Sequence, residues 1–138
     1  MEIRYVREKD REFVMSIDRH VNDDQFVNRV NARMGYVIWE NECPIGVMSH
    51  CILWDNLPFL NFIYIIEEYR NKGYGQNAMK RWEQDMKHQG YRMVLISTQV
   101  DESAQGFYRK LGYVDCGGLL FDHTPFDQPM EMFMRKVL

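Results

Sequence analysis

At 138 residues, 46% of them hydrophobic and 14% aromatic, the chain is the size of one domain and can bury a core of its own. Its charged residues, 27% of the total with a formal net charge of -3, exclude global disorder and offer no basic stripe for nucleic-acid phosphates. Three cysteines, Cys43, Cys51 and Cys116, and four scattered histidines give neither a disulfide framework nor a zinc-ligand spacing, so no metal is expected.

The chain opens on Met1-Glu2-Ile3-Arg4, charged and alternating where a signal peptide would be apolar. No apolar run is long enough to span a bilayer. These features point to the cytoplasm, with no membrane partner. Ile3 to Arg7 alternates and reads as a strand. Asp10 then opens a helical pattern with Phe13, Val14 and Ile17 on one face. A second helix carries Phe26, Val27 and Val30, and Gly35 stops it. Tyr36 to Glu40 and Ile45 to Trp54 read as paired strands around an Asn41–Pro44 turn. After a break at Asn56-Leu57-Pro58, Leu60 to Ile66 is a buried strand.

The period then changes. Tyr74, Ala78, Trp82 and Met86 recur every four residues, one stripe of a helix that Gly90 ends. Arg92 to Thr98 is a strand. Asp101 is placed to cap the next helix, in which Ala104, Phe107, Tyr108 and Leu111 follow at helical spacing up to Gly112. Two further strands fall near Val114–Phe121 and Met130–Val137. No linker or internal repeat divides residues 1–138, so a single domain is expected. The fold class is α+β, a central, mostly antiparallel twisted sheet of about six or seven strands with helices on both faces.

The chemistry concentrates in Ile63 to Asn77, IYIIEEYRNKGYGQN. A buried strand runs into a charged loop, and two glycines open a helix. The start of a helix carries unpartnered N–H groups and the positive end of its dipole. Gly73 and Gly75 leave those groups uncovered, and Arg70 and Lys72 add full charge. The combination is a cradle for a pyrophosphate.

Arg70-Asn71-Lys72-Gly73-Tyr74-Gly75 resembles the [QR]-x-x-G-x-[GA] motif of the GNAT superfamily of N-acetyltransferases. Downstream, Asp101 to Tyr113 (DESAQGFYRKLGY) is similar to the N-x-x-A-x-x-F-Y-x-x-x-G-F segment of the same family. The two segments, about 30 residues apart, are far more specific together than the glycines alone. The resemblance implies the GNAT acyl-coenzyme A fold and transfer of acetyl from acetyl-CoA, as co-substrate, to a primary amine. It implies that Arg70, Asn71, Lys72, Gly73, Tyr74 and Gly75 hold the coenzyme's pyrophosphate. It places Ile63, Tyr64 and Ile65 alongside the pantetheine, a backbone N–H near Ile65 on the acetyl carbonyl, and Tyr108 as the acid that protonates the leaving sulfur. An amine attacks the thioester directly, through a tetrahedral intermediate, and the protein aligns the reactants and manages two protons. Peeling of Ile63–Ile66 away from Arg92–Thr98 would admit the pantetheine arm.

The sequence departs from the family at Asp101, where Asn is usual; an acid there would repel phosphate, which leaves it the role of helix cap. Glutamates that serve as base in relatives are replaced by Ile96 and by Phe59–Asn61. Asp55, Glu67, His50 or an ordered water remain as candidates for the base. The acceptor is expected to be a small-molecule amine, with a homodimer left open. Tyr108 also fits the bare role of a core tyrosine, and His50 that of a strand residue with a satisfied hydrogen bond. Cys51 and Cys116 read as buried thiols, and the methionines as core filler. Two rival functions stand beside acetyl transfer. One is a non-catalytic coenzyme A-binding module. The other is a dinucleotide-binding enzyme, since Gly73 to Ala78 satisfies G-x-G-x-x-[GA], although the Glu67–Lys72 insert is too long for that tight turn.

Overall fold

The alternating start of the chain folds as β1 (Glu2–Tyr5) in a computed structural model that describes residues 1–138. A 3-10 turn at Glu8–Asp10 leads to α1 (Arg11–Ile17) and α2 (Asp23–Ala32), followed by β2 (Gly35–Glu40), β3 (Cys43–Leu53) and β4 (Leu57–Ile65). A second 3-10 turn, Glu67–Tyr69, precedes α3 (Tyr74–His88), β5 (Met93–Gln99), α4 (Ala104–Lys110), β6 (Val114–Leu119) and β7 (Glu131–Val137). The seven strands are ordered β1-β2-β3-β4-β5-β7-β6. The registered pairs are antiparallel except β4 with β5, which run parallel with Phe59 opposite Leu95.

The chain divides into two compact units, Met1–Cys51 with Leu60–Asp85, and Ile52–Phe59 with Met86–Leu138. In the first, Val6, Val14, Val21, Phe26, Val37 and Val47 form a buried cluster, with Phe62 packed against it. On α3 the predicted stripe is buried at Ala78 and Trp82, and Met79 joins it. Asp85 of α3 accepts hydrogen bonds from Tyr36 Oη of β2 at 2.9 Å and from Tyr5 Oη of β1 at 3.4 Å, and pairs with Arg81 at 3.0 Å. This clasp ties two strands to the helix through one carboxylate. In the second unit Val94, Ile96, Tyr108, Tyr113, Met132 and Met134 are buried. Tyr113 lies edge-on to Tyr108, with ring centroids 5.8 Å apart. Of the ten methionines expected as core filler, Met48, Met79, Met86, Met132 and Met134 are buried, while Met1 is exposed and the other four are half-buried.

Several boundaries differ from the sequence expectation for local reasons. α2 starts on a reciprocal cap: Asn22 Oδ1 accepts the Gln25 N–H at 2.8 Å, and Gln25 Oε1 accepts the Asn22 N–H at 2.9 Å. The helix ends at Arg33, itself left-handed at φ 53, and Gly35 is already the first residue of β2. The β3–β4 hairpin turns at Trp54 and Asp55, both at positive φ (52 and 60), with the Asn56 N–H bonded to the Leu53 carbonyl at 3.0 Å. Pro58 is therefore buried inside β4 instead of breaking it. Two-residue hairpins need left-handed central residues, and neither Trp nor Asp advertises that conformation as Asn-Gly does. Asp101 does not cap α4: the capping position is Ser103, whose side chain makes no cap bond. Cys116 is exposed on β6, not buried, because all six residues of that strand face solvent.

Candidate active site

β4 delivers the chain to the glycine loop within the first unit. Ile63 and Ile65 are half-buried and Tyr64 is exposed, its ring stacked on Phe62 with centroids 6.3 Å apart. β3 comes unusually close here. A Cβ on Gly46 would lie 2.6 Å from the Tyr64 carbonyl oxygen and 2.8 Å from Ile65 Cδ1, so only glycine fits. The Ile66 N–H donates to the Ile45 carbonyl at 2.8 Å. No motif in the sequence marks Gly46.

After β4 the 3-10 turn closes through the Tyr69 and Arg70 N–H groups, bonded to the Ile66 and Glu67 carbonyls. Asn71 takes φ 61 and Gly73 φ 90, the left-handed conformation that favours glycine and tolerates asparagine. The first helical bond of α3 runs from the Asn77 N–H to the Gly73 carbonyl at 3.0 Å. The N–H groups of Tyr74, Gly75 and Gln76 therefore precede the intrahelical ladder and lie at the positive end of a 15-residue helix. A Cβ at Gly73 would meet nothing within 4 Å, and residues 70 to 73 are exposed. The loop is open to a ligand.

The two cations are held, not adrift. Arg70 Nε donates to the Ile65 carbonyl at 2.8 Å and its guanidinium lies 4.9 Å from the Tyr64 ring centroid. Lys72 Nζ donates to the Glu68 carbonyl at 2.9 Å. Arg70 thus couples the end of β4 to the loop, with its Nη groups left for an anion. Arg70, Lys72 and the N–H groups at the start of α3 thus share one exposed turn, preceded by the acidic pair Glu67 and Glu68.

Tyr108 belongs to the second unit, on α4, and is buried at 7% exposure. Burial, with a smaller contribution from the Glu102 carboxylate, pushes its phenol up to about 12. It is protonated at neutral pH, as an ordinary phenol is. Of the candidates for the base, Asp55 sits in the hairpin turn and Glu67 at the start of the 3-10 turn, both exposed. His50 is buried on β3 between the Tyr36 and Trp82 rings, with centroids at 6.3 and 5.9 Å. Burial brings its pKa down to about 4, which makes it neutral but a weak base. Its Nδ1 has no hydrogen-bond partner, contrary to the satisfied histidine expected from sequence. No group of three or more His, Cys, Asp or Glu side chains could hold a metal ion. No helix is long and apolar enough to cross a membrane.

Comparison with solved structures returns the same architecture many times. A ribosomal-protein-alanine N-acetyltransferase from Brucella melitensis superposes with a TM-score of 0.82 at 17% identity, covering 100% of both chains. Arabidopsis thaliana Naa50, in complex with a bisubstrate analogue, gives a TM-score of 0.81 at 14% identity over 99% of this chain and 98% of that one. An aminoglycoside 6'-N-acetyltransferase complexed with coenzyme A gives 0.75 at 13% identity over 99% and 97%. At these identities the likeness is one of fold. No protein of curated function matches the sequence. The model of the acetyltransferase (GNAT) family matches residues 3–113, and with both of its motifs inside that span the chain belongs to the GNAT acetyltransferase family.

Proposed function

We propose that the whole chain acts as one catalytic domain, moving the acetyl group of acetyl-CoA to the primary amine of a small molecule by direct attack through a tetrahedral intermediate. The observation that carries this is the open helix start at Gly73–Gly75, with Arg70 fixed on the Ile65 carbonyl. Arg70, Asn71, Lys72, Gly73, Tyr74 and Gly75 would hold the pyrophosphate by N–H groups and charge. Ile63, Tyr64 and Ile65 would carry the pantetheine along β4, and the thioester supplies the activated acyl group. Tyr108 would give its proton to the departing thiolate; burial makes its phenol a weaker acid than usual, so the transfer depends on an aligned hydrogen bond to the sulfur. The acceptor class has mixed support among structural relatives, one named for a ribosomal protein and another for an aminoglycoside.

The test is calorimetric titration with acetyl-CoA. Wild-type protein should bind saturably. Arg70→Ala should weaken binding by about tenfold, the loss of one charge-assisted contact worth about 1.5 kcal/mol. A folded wild-type protein that gives no heat would end the proposal. Tight binding with no acetyl transfer to any amine would instead favour a coenzyme A-binding module.

A further inference from the structure

A cleft of about 440 Å³ lies wholly within the first unit, a volume suited to a small ligand. α2 lines it with Gln25, Asn28, Arg29 and Ala32, a stripe at i, i+3, i+4 and i+7. The sheet lines it with His50, Cys51, Asn61 and Phe62. Asn61 and Phe62 stand on β4 immediately before Ile63–Ile65, the residues assigned to the pantetheine. The cavity thus adjoins the strand segment proposed to carry the pantetheine, its lining ending about 10 Å short of Ile65 at about 3.3 Å per residue.

The polar groups define what could fill it. Asp18 and Arg29 are paired at 2.9 Å, with side-chain exposures of 5% and 18%, so the lining's one carboxylate and one guanidinium cancel. That balance favours neither a polycation, which needs unpaired carboxylates, nor a zwitterion, whose own carboxylate needs an unpaired cation. What remains is amide, imidazole and thiol. Asn28 and Asn61 each both donate and accept, and the Cys51 thiol donates to Asn61 Oδ1 at 3.4 Å, leaving the Asn61 NH2. His50 also lines the cavity, 4% exposed, with its Nδ1 buried away from it. Hydroxyl groups, which donate and accept at the same atom, match the Asn28 and Asn61 amides.

We infer that this cavity is the acceptor site and that it takes an amino sugar, a small polyhydroxylated molecule whose only charge is its amine. The assignment rests on the acetyl-transfer proposal for its chemistry but not for its binding. The test therefore reads the two separately. Glucosamine, spermidine, alanine and an unblocked tripeptide amide are titrated into the full chain, and the side-chain amide resonances of Asn28 and Asn61 are followed by NMR. The same four amines are assayed for thiol release from acetyl-CoA. Glucosamine is expected to shift both amides saturably and to give the highest kcat/KM of the four. Asn28→Asp, on the exposed side of α2, adds one uncompensated charge and should move the glucosamine-to-spermidine ratio of kcat/KM by about tenfold toward spermidine. If another of the four shifts these amides and glucosamine does not, or if none does, the cavity assignment falls even where acetyl transfer stands. Glucosamine bound at these amides but never acetylated supports the assignment and sinks the transfer proposal instead.

Discussion

Tyr108 shows how much a single side chain can carry, and how to tell its two roles apart. A tyrosine on the apolar face of a short helix is expected in a core, and this one is indeed buried beside Tyr113. Its hydroxyl is what a core role does not need. Tyr108→Phe keeps the ring and removes only the proton donor. If Tyr108 is the general acid, kcat should fall by about 10²-fold or more while acetyl-CoA binding by calorimetry stays unchanged. Unaltered turnover would reduce it to packing. Arg70 makes the complementary point. Sequence marks it as a cation at a phosphate loop, but its bond to the Ile65 carbonyl and its place over Tyr64 appear only in three dimensions. Asp101 is the reverse case: a plausible cap by residue type, displaced because α4 begins after Ser103.

Among the elements, the contact between β3 and β4 governs the shape of the candidate site. Gly46 allows the β3 backbone to approach the Tyr64 carbonyl, and even one methyl group there would fall 2.6 Å from that oxygen. Gly46→Ala should force the strands apart where the pantetheine is proposed to lie. The expected cost is about 2 kcal/mol in urea unfolding, the usual scale for overpacking, together with weaker acetyl-CoA binding. A variant as stable and as tight-binding as the wild type would show that the close approach is incidental. Helix α3 was readable from its four-residue stripe because one apolar face must be buried. The β3–β4 turn was not, since Trp54 and Asp55 adopt left-handed backbone by the demand of hairpin geometry and not by their own preference.

At the scale of the whole molecule, buried ionisable groups set the pH limits of stability. His50 has a folded pKa of about 4, below the ordinary 6.5. The unfolded chain therefore takes up a proton first as pH falls. Stability is full above 6.5 and declines as pH drops through 4, by at most about 3 kcal/mol from this group. Urea unfolding between pH 7 and pH 4 should show that decline, and His50→Gln should flatten it. The alkaline side has the opposite sign. Tyr108, raised to about 12, and Tyr36, raised further by burial and Asp85, keep their protons longer in the fold than in the unfolded chain. Stability is full below 10 and declines as pH rises through 12.

The sequence by itself determined the order of strands and helices, the glycine-opened helix at Gly73–Gly75 and the family, because hydrophobic period and loop chemistry are local properties of the chain. It could not reveal the Asp85 clasp, the Gly46 approach or the cavity between α2 and the sheet. Those join residues tens of positions apart, such as Tyr5 with Asp85 and Asp18 with Asn61. Only the packing of the folded chain decides which distant side chains meet, which charges cancel and which buried nitrogen is left without a partner.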